Sequence, residues 1–127
     1  MKRIFYLILF FTAWGFSQTS LTANLVESIP LECSRFIGVD QFESVYYLES
    51  NTLFKKNKQE LQNYSVLDKG NVSSVSVFNA LKLALFYKDF NTAIVLDNRL
   101  AEIFKIDFNN TQPYRSVSYI STGNDNT

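Results

Sequence analysis

The chain has 127 residues, with 12 basic and 12 acidic side chains, 46% hydrophobic and 16% aromatic residues, one cysteine and no histidine. The missing histidine removes Ser-His-Asp and Cys-His nucleophilic sites, most zinc sites and the commonest general base. The longest basic run, Lys55-Lys56-Asn57-Lys58, is too short to give nucleic-acid binding or polybasic membrane attachment its electrostatic signature.

From the N-terminus, Lys2 and Arg3 precede an apolar run from Ile4 to Phe11 that continues weakly to Trp14. Gly15 and Ser17 then stand two apart, the small-residue spacing that a signal peptidase needs. Residues 1–17 therefore read as a cleavable secretory signal peptide, cut before Gln18. The apolar stretch, roughly 13 residues, falls short of the about 20 a spanning helix needs, so no stable membrane span is expected after cleavage. Losing Lys2 and Arg3 leaves ten basic against twelve acidic residues, a formal charge of −2. Cys33 has no lipobox before it and cannot close an internal disulfide. It reads as a small buried apolar residue, and stability must come from packing or partners.

The exported part, residues 18–127, is rich in β-branched and aromatic residues and poor in Gly and Pro, which favours strands. In chain order the predicted strands are Leu25–Leu31, Arg35–Val39, Val45–Glu49, Thr52–Lys56, Gln62–Leu67, Val72–Phe78, Leu81–Lys88, Thr92–Leu96, Glu102–Phe108 and Ser116–Ser121. Leu81–Lys88 alternates as a half-buried strand does, although Ala, Leu and Lys also suit a helix. The separators are short and polar, including Ser50-Asn51, Asp68-Lys69-Gly70 and Asp97-Asn98-Arg99, as in a meander of antiparallel hairpins.

The strands repeat. Phe36–Asp40, Ser74–Phe78 and Ser116–Ile120 align at a spacing of about 40 residues, and the first two are each followed by three more strands. Val45-Tyr46-Tyr47-Leu48 matches Leu83-Ala84-Leu85-Phe86, Asn51-Thr52 matches Asn91-Thr92, and Glu60–Tyr64 matches Ala101–Lys105. The shared Asn-Thr is the best single match. Four strands in about 40 residues form the unit of a β-propeller blade, so the expected fold is all-β: antiparallel four-stranded meander repeats of a partial β-propeller. The alternative is a small β-sandwich with evenly spaced hairpins.

Arg35-Phe36-Ile37-Gly38-Val39-Asp40, Tyr46-Tyr47 and the run from Leu83 to Asn98 resemble the N-terminal part of uncharacterised, exported β-propeller-like proteins of the Bacteroidota. The resemblance implies a fold and a compartment, periplasmic or outer-surface, and carries no active-site residue. It also implies further repeats. Two blades and the start of a third cannot close a ring of four to eight, so the sequence reads as the beginning of a longer chain.

Asp40, Asp89, Asp97, Asp107 and Asp125 fall at strand ends, where oxygen-rich loops could hold calcium. None has the spacing of a calcium loop, so turn capping is the simpler role, and neither a metal nor a cofactor is expected. The residues singled out for ligand or partner contact are Asp89, Asn91, Asp97 and Asn98. Six tyrosines, Tyr46, Tyr47, Tyr64, Tyr87, Tyr114 and Tyr119, could stack on sugars or pack between blades. The reading is a non-enzymatic binding or scaffold module whose partner is an envelope protein or a glycan. The alternative is the N-terminal part of a propeller enzyme of lactonase or glycoside-cleaving type, with its active site beyond residue 127.

Overall fold

The computed structural model describes residues 20–26, 28 and 30–123. The signal peptide read over residues 1–17, and Asp125, lie outside them. The chain divides into two units, Met1–Pro30 and Leu31–Thr127. The described residues of the first have no regular secondary structure, so the strand expected over Leu25–Leu31 does not appear in them. A strand exists only through a paired neighbour, and Pro30 has no N–H to offer one.

The second unit is all-β. Strands β1 (Arg35–Val39), β2 (Val45–Glu49), β3 (Thr52–Lys56) and β4 (Leu61–Tyr64) form one antiparallel sheet in sequence order. Strands β5 (Ser74–Asn79), β6 (Lys82–Tyr87), β7 (Thr92–Leu96) and β8 (Glu102–Asp107) form a second, with the same order. Neither sheet closes into a barrel. The expected strands are thus present from Arg35 to Asp107: β1, β2, β3 and β7 have the expected bounds, and the ends of the other four shift by at most three residues. In β6, pairing to strands on both sides overrides the helix propensity of Ala, Leu and Lys.

Alternation then divides the faces. Tyr46, Leu48 and Leu53 on the first sheet meet Leu83, Leu85, Tyr87, Ile94 and Leu96 on the second, and Val72 and Leu100 complete this core. Tyr46, Leu53, Leu85 and Ile94 are wholly buried. At roughly 1.5–3 kcal/mol for each large apolar side chain sealed from water, this layer is the main source of stability.

The sheets stack with like strand near like strand. Strands β1 and β5 are neighbours. The Arg35 guanidinium donates to the carbonyls of Val72 and Ser73 just ahead of β5, both at 3.2 Å. At the outer strands the Tyr64 hydroxyl of β4 donates to Glu102 of β8 at 2.9 Å. Gly38 lies where an added Cβ would come within 3.4 Å of Val77, so a small residue lets β1 and β5 approach.

Both faces of the second sheet are covered at its centre. Ala84, Phe86, Ala93 and Val95, on the face away from the core, are also buried, and Phe108 meets Phe86 edge-on at 6.4 Å. The last predicted strand, Ser116–Ser121, has no regular structure. Amides near its start and just past its end go to side chains instead of a ladder: Val117 N–H donates to Asn91 at 3.0 Å and Thr122 N–H to Ser76 at 3.1 Å. Cys33 is free and half-buried, not sealed in the core.

Candidate functional site

In a meander, alternate loops leave at the same end. Loops β1–β2, β3–β4, β5–β6 and β7–β8 therefore gather at one end of the two sheets. Each opens with Asp or Asn, and in each the side-chain oxygen accepts the N–H two residues later: Asp40 from Phe42 (2.8 Å), Asn57 from Gln59 (2.9 Å), Asn79 from Leu81 (2.9 Å) and Asp97 from Arg99 (2.8 Å). This local bond makes Asp and Asn turn formers, and here it fixes four loops without a regular ladder.

Two of the four turns are copies. Asp40 also accepts from Ser44 N–H at 2.9 Å, and Asp97 from Ala101 N–H at 2.8 Å. The fourth residue of each turn has positive φ: 61° at Glu43 and 62° at Leu100. Glu43 N–H donates to the Asp40 carbonyl and Leu100 N–H to the Asp97 carbonyl, both at 3.1 Å.

The loops enclose a cleft of about 410 Å³. The first sheet lines it with Phe42, Glu43 and Ser44, and with Lys55, Asn57, Lys58 and Gln59. The second contributes Ala80, Leu81 and Asn98. Phe42 and Leu81, one from each repeat, are 62% and 61% exposed. Lys55 ties the two sides together, donating to the Asn98 carbonyl at 2.6 Å while its ammonium sits 5.6 Å from the Tyr46 ring centroid.

The charges beside the cleft are engaged. Burial alone would raise the Asp40 carboxyl, but the Ser44 N–H, the Tyr46 hydroxyl at 2.9 Å, the Phe42 N–H and the nearby Lys55 outweigh it and hold the group below the usual carboxylate range. Burial, then the bond to Asp40, pushes the Tyr46 phenol up. Glu43 bonds to Lys58 at 2.8 Å, which lowers its carboxyl.

The four residues picked from the sequence fall at opposite ends of the second sheet. Asp97 and Asn98 belong to the cleft end, Asp97 as a turn brace and Asn98 as a lining residue. Asp89 and Asn91 sit at the β6–β7 loop, where Lys88–Phe90 make a 3-10 turn. Asp89 is exposed there, whereas Asn91 is 8% exposed and bonds to the backbone around Val117. Asp107 caps a second 3-10 turn, Phe108–Asn110.

Of the tyrosines, Tyr46, Tyr47 and Tyr87 are buried, and Tyr64 is partly buried and spans the sheets. Tyr114 and Tyr119 are exposed. The ring that reaches the cleft is Phe42, which the strand-based reading passes over. Its signal is present, an apolar residue inside an otherwise polar turn, Asp40-Gln41-Phe42-Glu43-Ser44. Among the described residues no three His, Cys, Asp or Glu side chains are placed to hold a metal ion. No helix among them is long and apolar enough to cross a membrane. No protein-family model, curated protein or solved structure matches this chain.

Proposed function

We propose that the protein is an exported, non-enzymatic binding or scaffold module of the cell envelope, built of propeller-type repeats, whose loop-end cleft takes a glycan. The observation that carries this reading is the cleft itself: four side-chain-braced loops hold Phe42 and Leu81 toward solvent beside the amides of Asn57, Gln59 and Asn98. Sugar rings bury a C–H face on an aromatic or aliphatic surface while their hydroxyls pair with planar amides. Braced loops lose little freedom on binding, which favours affinity.

Binding fits better than turnover, because the acids beside the cleft are committed. Asp40 accepts three hydrogen bonds and stays ionised, and Glu43 is paired with Lys58. A glycosidase needs one carboxyl kept protonated as its acid. Export rests on the leader read over residues 1–17, and the propeller-type reading on the stacking of like strand near like strand.

A glycan array of bacterial envelope polysaccharides, probed with the purified protein and with its Phe42→Ala and Asn98→Ala variants, tests the reading. Binding that weakens about tenfold or more in Phe42→Ala supports it. Hydrolysis of a panel of glycosides or lactones by the wild-type protein, or a Phe42→Ala variant that binds as well as wild type, overturns it.

A further inference from the structure

A neutral sugar leaves one group of the cleft unanswered. Lys55 lines the cleft from the first sheet and is half-buried, yet its ammonium rests on neutral groups: the Asn98 carbonyl at 2.6 Å and the Tyr46 ring, 5.6 Å to the centroid. Among the described residues it forms no ion pair. Asp40 acts on it from beyond that range, and the Asp40 carboxylate already accepts the Phe42 and Ser44 N–H groups and the Tyr46 hydroxyl. A cation drawn partly out of water without a counter-ion is a cost to the free protein, and an anion that binds there removes it.

The other charged groups of the lining do not fill that role. Glu43 is paired with Lys58 at 2.8 Å, so the lining holds two lysines against one glutamate and is left with the charge of Lys55. The ammonium is also held in place before any ligand arrives. Register sets Lys55 of β3 directly across from Tyr46 of β2, and the Asn98 carbonyl of the second sheet fixes the head of the side chain. Little side-chain freedom is then lost on binding.

We infer that the glycan is an acidic one, in which a uronic-acid unit sets its carboxylate on the Lys55 ammonium while its ring lies against Phe42 or Leu81. This rests on the glycan reading above and adds the group that selects among glycans. Of the three ammonium N–H donors, the Asn98 carbonyl takes one, so a carboxylate is bound without breaking the link between the two sides of the cleft. Hydrogen bonds from an ammonium to a carboxylate are shorter and stronger than those to a sugar hydroxyl, and a neutral glycan forgoes them.

Titration calorimetry of the purified protein against oligomers of galacturonic, glucuronic and mannuronic acid, each as the free acid and as its methyl ester, tests this. The ester keeps the ring and its hydroxyls and removes the charge. At least one free acid should bind about tenfold or more tighter than its ester in dilute buffer, and the gap should narrow as salt is added. Lys55→Gln, which retains a donor for the Asn98 carbonyl, should bring acid and ester level. Equal binding of acid and ester by the wild-type protein, or a preference that survives in Lys55→Gln shown to be folded by circular dichroism, overturns the inference and leaves the glycan reading standing. So does binding confined to neutral or sulfated glycans. If no glycan binds, charged or neutral, the glycan reading falls and this inference with it.

Discussion

Asn51 and Asn91 perform the same task in successive repeats. The Asn51 amide donates to the Gly70 carbonyl and its oxygen accepts the Val72 N–H, both at 2.6 Å. The Asn91 amide donates to the Arg115 carbonyl at 2.7 Å and accepts the Val117 N–H at 3.0 Å. Both have positive φ, 69° and 47°, a conformation Asn tolerates better than most residues. Each side chain thus clamps the segment leading out of its own sheet, by the carbonyl of one residue and the amide two residues later.

Replacing Asn91 by Ala should destabilise the fold by about 2–3 kcal/mol, from two lost hydrogen bonds and a strained left-handed residue. Asn91→Gly keeps the turn and loses only the bonds, so it should cost about 1 kcal/mol less. Urea melts give both values. Hydrogen exchange at the Val117 amide should speed up in both variants; unchanged protection there would refute the clamp.

The Asn-Thr pair was visible in the sequence as the best match between repeats, because a left-handed turn leading into a strand admits few residue types. The strands from Arg35 to Asp107 were legible for a related reason: period-two alternation is fixed by burying one face of each sheet. What Asn91 does was not legible, since its partners lie 24 and 26 residues away and depend on the path of the chain after β8. Ser116–Ser121 alternates as well, but alternation cannot supply a neighbouring strand. The cleft was half legible: Asp97 and Asn98 stand out in the sequence as candidate contact residues at a turn, and they fall at the cleft end as brace and lining residue, while Phe42 and Leu81 count as ligand surface only once four loops converge.

The matched turns at Asp40 and Asp97 should respond alike to truncation. Asp40→Ala and Asp97→Ala each leave two loop amides without their acceptor, and each should cost about 1–3 kcal/mol in a urea melt. For Asp40 the carboxyl is held below its unfolded range, so its contribution is present above about pH 4 and is lost as the pH falls through the folded value. The midpoint of acid unfolding should therefore move upward in Asp40→Ala. An unmoved midpoint would mean that Asp40 does not stabilise the turn by its charge.

Tyr87 is wholly buried, and its hydroxyl has no hydrogen-bond partner among the described residues. An unpaired buried hydroxyl is a cost, so Tyr87→Phe should stabilise the protein by about 1 kcal/mol. A loss of stability in thermal and urea melts would show that the hydroxyl is satisfied in solution.

Alkali should unfold the protein cooperatively. Burial, then Glu102 and Asp68, pushes the Tyr87 phenol up to about 12, and burial with a carboxylate partner raises Tyr46 and Tyr64 as well. Raised phenols bind protons more tightly in the folded state, so stability holds below about pH 10, where an unfolded tyrosine ionises, and falls as the pH rises beyond it. Phenolate absorbance and circular dichroism followed together should show these three ionising with the loss of the fold. Their ionisation at full native ellipticity would contradict the prediction.

The repeats differ in one hairpin. Two residues, Ser50 and Asn51, link β2 to β3, but four, from Lys88 to Asn91, link β6 to β7, and the clamping asparagine keeps its place before the next strand in both. The longer link shows that residues can be spliced in ahead of that asparagine without disturbing either sheet. The exposed Lys88–Phe90 turn is thus a natural grafting point, where an epitope or affinity tag would be displayed at the end of the two sheets opposite the cleft.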